Sequence, residues 1–343
     1  MTQTHRLCPC VASLLYSSQT FGSKQLPVSN LILALDFGGT KFAAAVTDNR
    51  DSWIGKDLMP APAPASAQAD YAGMLAMARK LLAGRQAAAI GVSFGGPVDA
   101  ARNTVILSHH VPGWEQVPLG EWLQRDLGAP AAIDNDANAG ALGEYTYGAG
   151  QNCSSVFYIT VSTGVGGGLV ANGRVWHGAN GMAGEIGHMQ VDPAGPLCLC
   201  GKHGCVERLA SGPYMAADAR TQMTSGSALW VLCAGEAGQI TGQLVAAAAT
   251  RGDEVAIRLI ERSATALGRG IGNTANIINP QRFVVGGGVT KAGSRWWQVL
   301  QAAARATALP EITIDIAPAQ LIDDAPLWGA VALAKAVGTG HQP

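Results

Sequence analysis

A histidine and a group of cysteines lie within the segment from Gly184 to Arg208. Cys198, Cys200 and Cys205 have C-x-C-x4-C spacing, and His188 lies ten positions before the first of them. Three thiolates and one imidazole form a complete tetrahedral ligand set for zinc. Separately buried thiols, a histidine without a ligand role and a Cys198–Cys205 disulfide are the alternatives. The spacing predicts a structural zinc site with no open position for a catalytic water.

Two carboxylates, Glu185 and Glu207, bracket this ligand set. Neither carboxylate is needed as a ligand, because four softer ligands are already present. We therefore predict that the zinc ion acts as a clip, and that it presents Glu185, Glu207 and His188 to a substrate.

Two glycine-rich turns connect predicted β-strands in different parts of the chain. LILALDFGGTKFAAAV reads as strand, Gly-Gly turn and strand, and SSVFYITVSTGVGGGLVANGRV repeats this order. The order differs from the strand-to-helix entry of a Rossmann fingerprint. Glycines in such turns allow phosphate groups to approach the backbone closely. The pair of turns predicts a nucleotide held between two lobes.

A polar triplet follows a short predicted strand that ends at Ile133. It consists of Asp134, Asn135 and Asp136, and a helix is predicted from about Ala137. Carboxylates are favoured at helix N-termini, so the local sequence alone favours Asp136 as a helix cap.

The length and composition limit the class of protein. The chain has 343 residues, of which 48% are hydrophobic and 14% charged, with a net charge of −1. This length predicts two domains or lobes. Nucleic acid is not expected as the main partner, since phosphate binding needs clustered Lys and Arg. Cysteines in ligand spacing fit a reducing cytosol, and no stretch reaches the length of a membrane span, so a cytoplasmic protein is predicted.

Strands and helices alternate along most of the chain, which predicts the α/β class. A buried strand is predicted from Ala87 to Asp99, and ITIDIA (Ile312–Ala317) is predicted as a short strand. The predicted helices are Tyr71–Leu82, Leu119–Leu127, a long helix from Glu254 that ends before Pro280, Trp296–Ala308 and Ala325–Val337. Residues 1–30 fit neither a secretory signal nor a spanning helix, and we interpret them as a disordered extension or the result of a start codon placed too early.

The motifs together resemble the ROK family of sugar kinases, and of transcriptional repressors derived from them, in the actin/hexokinase superfamily. They are DFGGTK, SFGGPVD, PGW, NDANAGALGE, STGVGGG, GEIGH, CLCGKHGCVE and VVGGGV. The resemblance implies a two-lobed actin-like ATPase (ribonuclease H-like) fold with a nucleotide and sugar cleft between the lobes. It implies a small lobe over 31–134, with the helix 325–338 packed back on it, and a large lobe over 135–324 that contains the zinc site.

The resemblance also implies a role for each motif residue. Asp136 is similar to the catalytic base, which takes the proton of a sugar hydroxyl as its oxygen attacks the γ-phosphate of ATP. Asp36 is similar to the aspartate that contacts the hydration shell of Mg²⁺. The implied sugar ligands are Gly96, Asn135, Asp136, Glu185, His188 and Glu207. The implied phosphate loops and adenosine contacts are Gly38, Gly39, Thr40, Lys41, Thr163, Gly164, Gly287 and Gly288. The implied ligands of the structural zinc are His188, Cys198, Cys200 and Cys205.

One position departs from the family pattern. ROK glucokinases carry an Asn two residues before the Pro of PGW, where it contacts the sugar, and this chain has His110 before Pro112. Imidazole is larger than a carboxamide and presents its donor and acceptor in a different geometry. Neutral drift and an altered sugar preference are both compatible with this change, so His110 is included among the candidate sugar ligands.

The predicted function is ATP-dependent phosphorylation of a hexose, with the 6-hydroxyl of glucose as the default acceptor. Kinases of N-acetylmannosamine, N-acetylglucosamine, fructose and allose share the motifs and stay open as alternatives. A ROK repressor needs a winged helix-turn-helix of roughly sixty residues, whereas thirty precede Leu31 here. A sugar-binding pseudoenzyme has no motif in its favour. The family also implies a homodimer.

Overall fold

The structure is a computed structural model, and it describes residues 30–338 apart from positions 49, 51 and 109. The predicted extension over residues 1–30 therefore lies outside the described residues, except for Asn30. Within the described part of the chain, no helix combines the length and the apolar character that crossing a bilayer requires.

The first sheet brings together strands from the first 135 residues. Its strands are β1 (Ile32–Phe37), β2 (Lys41–Thr47), β3 (Gly55–Pro60), β4 (Ala89–Phe94) and β7 (Ala131–Asn135). Between β4 and β7, the strands β5 (Val98–Asp99) and β6 (Thr104–Val105) form a separate small hairpin. Their order is β3-β2-β1-β4-β7. The β1–β2 and β2–β3 pairs are antiparallel, whereas β1, β4 and β7 are parallel. The carboxyl ends of β1, β4 and β7 therefore meet at one edge.

The second sheet repeats this arrangement. Its strands are β8 (Ser155–Val161), β9 (Val165–Ala171), β10 (Arg174–Val175), β11 (Arg282–Gly286) and β12 (Ile316–Pro318), in the order β10-β9-β8-β11-β12. β8 and β9 form an antiparallel hairpin, and β11 runs parallel to β8. Both predicted strand–turn–strand units are thus hairpins that lie beside a parallel strand.

The helices cover the faces of the two sheets. They are α1 (Ala67–Leu82), α2 (Leu119–Leu127), α3 (Asp136–Tyr147), α4 (Val206–Ala210), α5 (Gly212–Gln222), α6 (Ala228–Leu232), α7 (Gly242–Thr250), α8 (Glu254–Ile278), α9 (Ser294–Thr307) and α10 (Ala325–Gly338). α1 begins four residues before its predicted start, because the hydroxyl of Ser66 accepts a hydrogen bond from the Ala69 N–H at 3.2 Å and caps the helix.

Two strands are shorter than the sequence predicts. The buried run after Ala87 pairs as β4 only to Phe94, because the chain then turns at Gly95 and Gly96 before the short β5. Only the end of ITIDIA joins β12, because the N–H of Ile312 is still used within a turn, donating to the carbonyl of Leu309 at 3.0 Å.

The α10 helix approaches the backbones of its neighbours closely enough to fix α3 against the first sheet. A Cβ atom at Gly91 of β4 would overlap the carbonyl of Ala330 in α10. A Cβ at Gly329 of α10 would overlap the backbone of Ala139 in α3. Glycine at both positions permits this spacing, so the position of α3 relative to β4 is set by backbone contact.

The lobe boundaries that the family resemblance implies stay predictions.

Candidate active site

Three polar side chains share a row at the carboxyl edge of the first sheet. Strand register places Asp36 of β1 beside Ser93 of β4, and Ser93 beside Asp134 of β7. The Ser93 hydroxyl donates to Asp36 Oδ1 at 2.7 Å. Open α/β sheets bind ligands beyond the carboxyl ends of their strands, so this edge is where a site is expected.

Two carboxylates near this edge have raised pKa values. Burial raises the pKa of Asp36 to about 7, the hydrogen bond from Ser93 opposes this rise, and the negative charge of Asp136 adds to it. Burial also raises the pKa of Asp136 to about 6, the backbone N–H of Ala137 opposes this rise, and the charge of Glu185 adds to it. These repulsions indicate that Asp136 lies close enough to both Asp36 and Glu185 for their charges to interact.

Asn135 caps α3, so the local expectation that Asp136 is the helix cap is wrong. Asn135 Oδ1 accepts from the N–H of Ala137 at 2.9 Å and from that of Asn138 at 3.4 Å. Its Nδ2 donates to the carbonyl of Gly96 at 3.2 Å, which ties the Gly96 turn to the start of α3. Asp136 is the first residue of the helix, and its Oδ1 accepts from Ala137 N–H at 2.8 Å. A capped helix start therefore holds Asp136 in place without using it as the cap.

Glu185 and His188 lie on a segment that packs directly on β9. His188 ends a short 3₁₀ helix that follows Glu185, and Glu185 is exposed. A Cβ at Gly184, which has φ +94°, would overlap the carbonyl of Gly167, and a Cβ at Gly187 would overlap that of Val165. The glycines of GEIGH therefore allow the segment to lie against the strand.

Glu207, the other predicted sugar ligand of the cysteine segment, also contacts the second glycine-rich turn. It belongs to α4, and its Oε2 accepts from the N–H of Val165 at 3.0 Å. A Cβ added to Gly164 would come within 2.8 Å of the same oxygen. The cysteine segment and the Thr163–Gly164 turn are thus joined through one carboxylate.

The predicted nucleotide residues lie in three turns. Gly38, Gly39 and Thr40 connect β1 to Lys41 at the start of β2, Thr163 and Gly164 connect β8 to β9, and Gly287 and Gly288 follow β11. Gly287 has φ +91°, and a Cβ there would overlap the backbone of Val161, so the position requires glycine.

A cavity opens beside the second and third of these turns. It has a volume of about 760 Å³, within the usual range of ligand pockets. Ser162, Thr163 and Gly288 line one side of it, and residues of α5 and α7 line the other. The predicted sugar ligand His110 does not line this cavity. It lies in an exposed turn, where its backbone N–H donates to Ser108 Oγ at 3.3 Å.

His188 and the three cysteines converge on one point. One ligand atom from each residue lies within 4.8 Å of the others. Cys198 and Cys205, the pair of the disulfide alternative, are both free, so that alternative is wrong. His188 Nδ1 is buried without a hydrogen-bond partner among the described residues. A metal ion would give this nitrogen a partner, so the donor set could hold a tetrahedral ion.

The sulfur atoms also differ in how easily they ionise. A backbone hydrogen bond from Lys202 lowers the pKa of Cys200 to about 7. Burial, together with the neighbouring thiols, raises the pKa of Cys205 to about 12. Three thiolates this close repel one another, and a bound cation would remove that repulsion.

Sequence reasoning assigned no role to Ser93 or His177. Ser93 lies within the SFGGPVD motif, but its contact with Asp36 depends on the parallel pairing of β1 with β4, which the motif does not reveal. His177 Nε2 lies 2.7 Å from Asp134 Oδ2, a contact between residues 43 positions apart, for which we find no sequence signal.

Comparisons with known proteins agree with the motifs. The family model described as the ROK family matches residues 32–337. A glucokinase from Halalkalibacterium halodurans is 41% identical over 226 residues, which are 65% of this chain and 68% of the relative. An N-acetylmannosamine kinase from Shigella flexneri is 36% identical over 304 residues, which are 89% of this chain and 98% of the relative.

A solved structure gives the same result for the fold. The ROK family glucokinase from Streptomyces griseus, in complex with glucose and AMPPNP, is 32% identical with a TM-score of 0.77, covering 89% of this chain and 99% of that one. This similarity confirms the α/β, two-lobed actin-like ATPase fold that the motifs imply.

Proposed function

Because the chain belongs to the ROK family, we propose that it transfers the γ-phosphate of ATP to the 6-hydroxyl of glucose, with Asp136 as the general base. The observation that carries this proposal is that Asp36 at the end of β1 and Asp136 just after β7 are close enough to interact through their charges, as are Asp136 and Glu185. The reaction class is that of a sugar kinase, which both relatives have in common.

Asp136 supplies the proton acceptor. Its carboxylate takes the proton of the sugar hydroxyl while that oxygen forms a bond to the γ-phosphorus, and the bond from this phosphorus to the β–γ bridging oxygen breaks to release ADP. Phosphoryl transfer depends mainly on positioning and on neutralising charge. The Asn135 cap and the first turn of α3 supply that positioning for Asp136. Closure of the cleft would exclude water as a competing acceptor.

The proposed sugar ligands come from the turn at Gly96, the start of α3 and the segment from Gly184 to Arg208. We assign the hydroxyl contacts to Asn135, Glu185, His188, Glu207 and the Gly96 backbone. Carboxylates, an amide and an imidazole suit hydroxyl groups, each of which is both donor and acceptor. The turn residues of β1–β2 and β8–β9 would hold the phosphates, and the cavity beside Gly288 would hold the nucleoside.

Asp36 fits a role toward Mg²⁺. It is a half-buried carboxylate whose pKa is raised by burial and by the charge of Asp136, so a nearby cation would favour its ionised form. Oxygen ligands and retained water are what Mg²⁺ prefers. When bound, the ion would neutralise phosphate charge. Asp36 would hold its hydration shell, and Ser93 would hold Asp36.

We also propose that the four converging donors hold zinc in a structural role. Thiolate and imidazole ligands favour zinc, and a site with all its positions filled by protein is a structural one. Bound zinc would neutralise the thiolates and cross-link the loop. His188 would then serve the metal through Nδ1, its buried unpartnered nitrogen, and the sugar through Nε2.

The lobe boundaries, the homodimer, the cytoplasmic location and the absence of a nucleic-acid partner stay predictions. The proposed boundary at 134/135 coincides with the end of β7, where the chain passes into α3. That position puts the catalytic Asp136 at the point where the lobes would move relative to each other.

A sugar panel tests the proposed activity. Purified protein with ATP and Mg²⁺ is given glucose, N-acetylmannosamine, N-acetylglucosamine, fructose and allose, and release of ADP is measured. We expect glucose to give the highest kcat/KM. A panel without turnover would refute the kinase, whereas a preference for N-acetylmannosamine would change the sugar and leave the reaction class standing.

The same panel tests His110. If this residue sets the sugar preference, His110→Asn changes the ratio of kcat/KM between glucose and N-acetylmannosamine by about tenfold or more, the scale of one altered polar contact. If the substitution is neutral drift, the ratio stays within about twofold.

The pH dependence of activity and of stability should have opposite signs. We expect kcat/KM to fall as pH drops through about 6, since protonated Asp136 cannot accept a proton. Both Asp36 and Asp136 have folded-state pKa values above the ordinary 3.8. At a pH between 3.8 and these folded-state values, the folded protein therefore binds more protons than the unfolded chain. Their contribution therefore makes the free energy of unfolding decrease as pH rises from about 4 to about 7. Thermal unfolding across this range measures it, and Asp136→Asn should show a smaller dependence.

A further inference from the structure

A buried carboxylate lies immediately before the Asn135–Asp136 pair. Asp134 is 1% exposed, and three donors surround it. Its Oδ1 accepts from the N–H of Asn135 at 2.8 Å and from Asn138 Nδ2 at 2.9 Å, while its Oδ2 lies 2.7 Å from His177 Nε2. Two of these donors belong to the cap and the first turn of α3. The carboxylate therefore contacts Asn135, immediately before Asp136, and Asn138, two positions after it.

His177 reaches this carboxylate from the second sheet. It lies on the loop that follows β10, and the hydrogen bond with Asp134 raises the pKa of its imidazole, which favours the charged form. The N–H of Ala183 donates to the carbonyl of His177 at 3.1 Å and closes this loop. Gly184 follows at once and begins the segment that carries Glu185 and His188. One imidazole thus links the start of α3 to the loop that leads into the segment of Glu185 and His188.

We propose that His177 is a positioning residue for phosphoryl transfer: its hydrogen bond to Asp134 holds the first turn of α3, and with it Asp136, against the segment of Glu185 and His188. This inference rests on the proposed function and adds a residue that does not touch the substrate.

The physical reason is the cost of leaving Asp134 without its partner. A buried charge that loses its partner is strongly unfavourable, so the carboxylate would take up a proton or draw in water. Either change weakens its hydrogen bonds from Asn135 and Asn138, because a neutral carboxyl group is a poorer acceptor. The first turn of α3 then loses its anchor. Displacements of about 1 Å in a catalytic group can cost on the order of 100-fold in rate.

His177 also lines a cavity of about 630 Å³ together with Val98 and Ile133. Water can enter this cavity when the imidazole is removed, so we expect His177→Ala to fold. We expect this variant to lower kcat by about tenfold or more, to raise the sugar KM severalfold and to leave the KM for ATP within about twofold. A smaller loss of kcat, or an equal rise in both KM values, would overturn the proposal.

Two further comparisons separate positioning from a general structural role. Adding Asp134→Asn to His177→Ala removes the unpaired charge but keeps a carbonyl acceptor, and should make the double variant at least about threefold faster than His177→Ala. A double variant that is no faster would overturn the proposal. If His177→Ala does not fold, His177→Gln, whose amide can replace Nε2, should exceed the shorter His177→Asn in kcat by at least about threefold. Equal rates would contradict the role.

The control is Lys80→Gln, which breaks the surface ion pair of Lys80 with Asp57 between α1 and β3, and its kcat should match that of the wild type. The wild-type enzyme is measured in the same assay, so that a failure of the proposed kinase activity can be distinguished from a failure of the proposed role of His177. If it phosphorylates sugar while His177→Ala is unimpaired, the proposed function stands and the role of His177 fails.

Discussion

Asp136→Asn is expected to lower kcat by about 10²- to 10⁴-fold, the usual contribution of a general base, while the sugar still binds. The amide has nearly the same shape as the carboxylate and can still accept the N–H of Ala137, so the start of α3 should stay intact. It cannot take up the hydroxyl proton. Steady-state kinetics gives kcat, and calorimetric titration with glucose gives the dissociation constant, which should change by less than about threefold.

The matched control for this variant is Asp57→Asn. Asp57 pairs with Lys80 at the surface of β3, so the same chemical change there should leave kcat unaltered. Near-normal turnover of Asp136→Asn would remove Asp136 as the base. Equal loss of turnover and of sugar binding would instead assign it to binding.

Cys205→Ser is expected to remove the metal and to weaken sugar binding together. The sulfur of Cys205 is buried among the converging donors, and a hydroxyl is a poor zinc ligand at neutral pH. Without the metal the loop loses the link to His188, so we expect a lower melting temperature and a rise of about tenfold in the sugar KM. Elemental analysis should find one zinc ion per wild-type chain and none in the variant.

Cys233→Ser is the control for this experiment. Cys233 is equally buried, but it packs in the core of the second sheet and its helices, away from the donors. It should lose stability while keeping zinc and the sugar KM. Wild-type protein purified without chelator that contains no zinc would refute the metal site. Loss of zinc with an unchanged sugar KM would show that the loop and the pocket are independent.

Features encoded by neighbouring residues could be predicted from the sequence. The helix Leu119–Leu127 has the predicted bounds, because its apolar spacing and the following Gly128 both lie within a few residues. The tight turns of the cysteine loop could also be predicted, because Gly201 and Gly204 lie between the cysteines in the sequence. Both glycines have the positive φ angles of tight turns. The local sequence wrongly favoured Asp136 over Asn135 as the cap of α3. Both side chains are suitable caps, and which one is used depends on where β7 ends.

Contacts that depend on how distant strands align could not be predicted. Ser93 reaches Asp36 across 57 positions because β1 and β4 pair in parallel register. His177 reaches Asp134 only when the loop after β10 lies beside the end of β7. Neither pair has a periodicity or spacing of its own, since each is set by the arrangement of whole sheets.

The hydrogen bond from Val165 to Glu207 has a consequence for binding energetics. One carboxylate is the proposed sugar ligand and also the support of the turn proposed to hold phosphate. Ordering it for one ligand removes part of the entropy cost of binding the other. Sugar and nucleotide should therefore bind with positive cooperativity, and thermodynamic reciprocity requires each to raise the affinity of the other by the same factor. ATP would then be held weakly until an acceptor is present, which limits its wasteful hydrolysis.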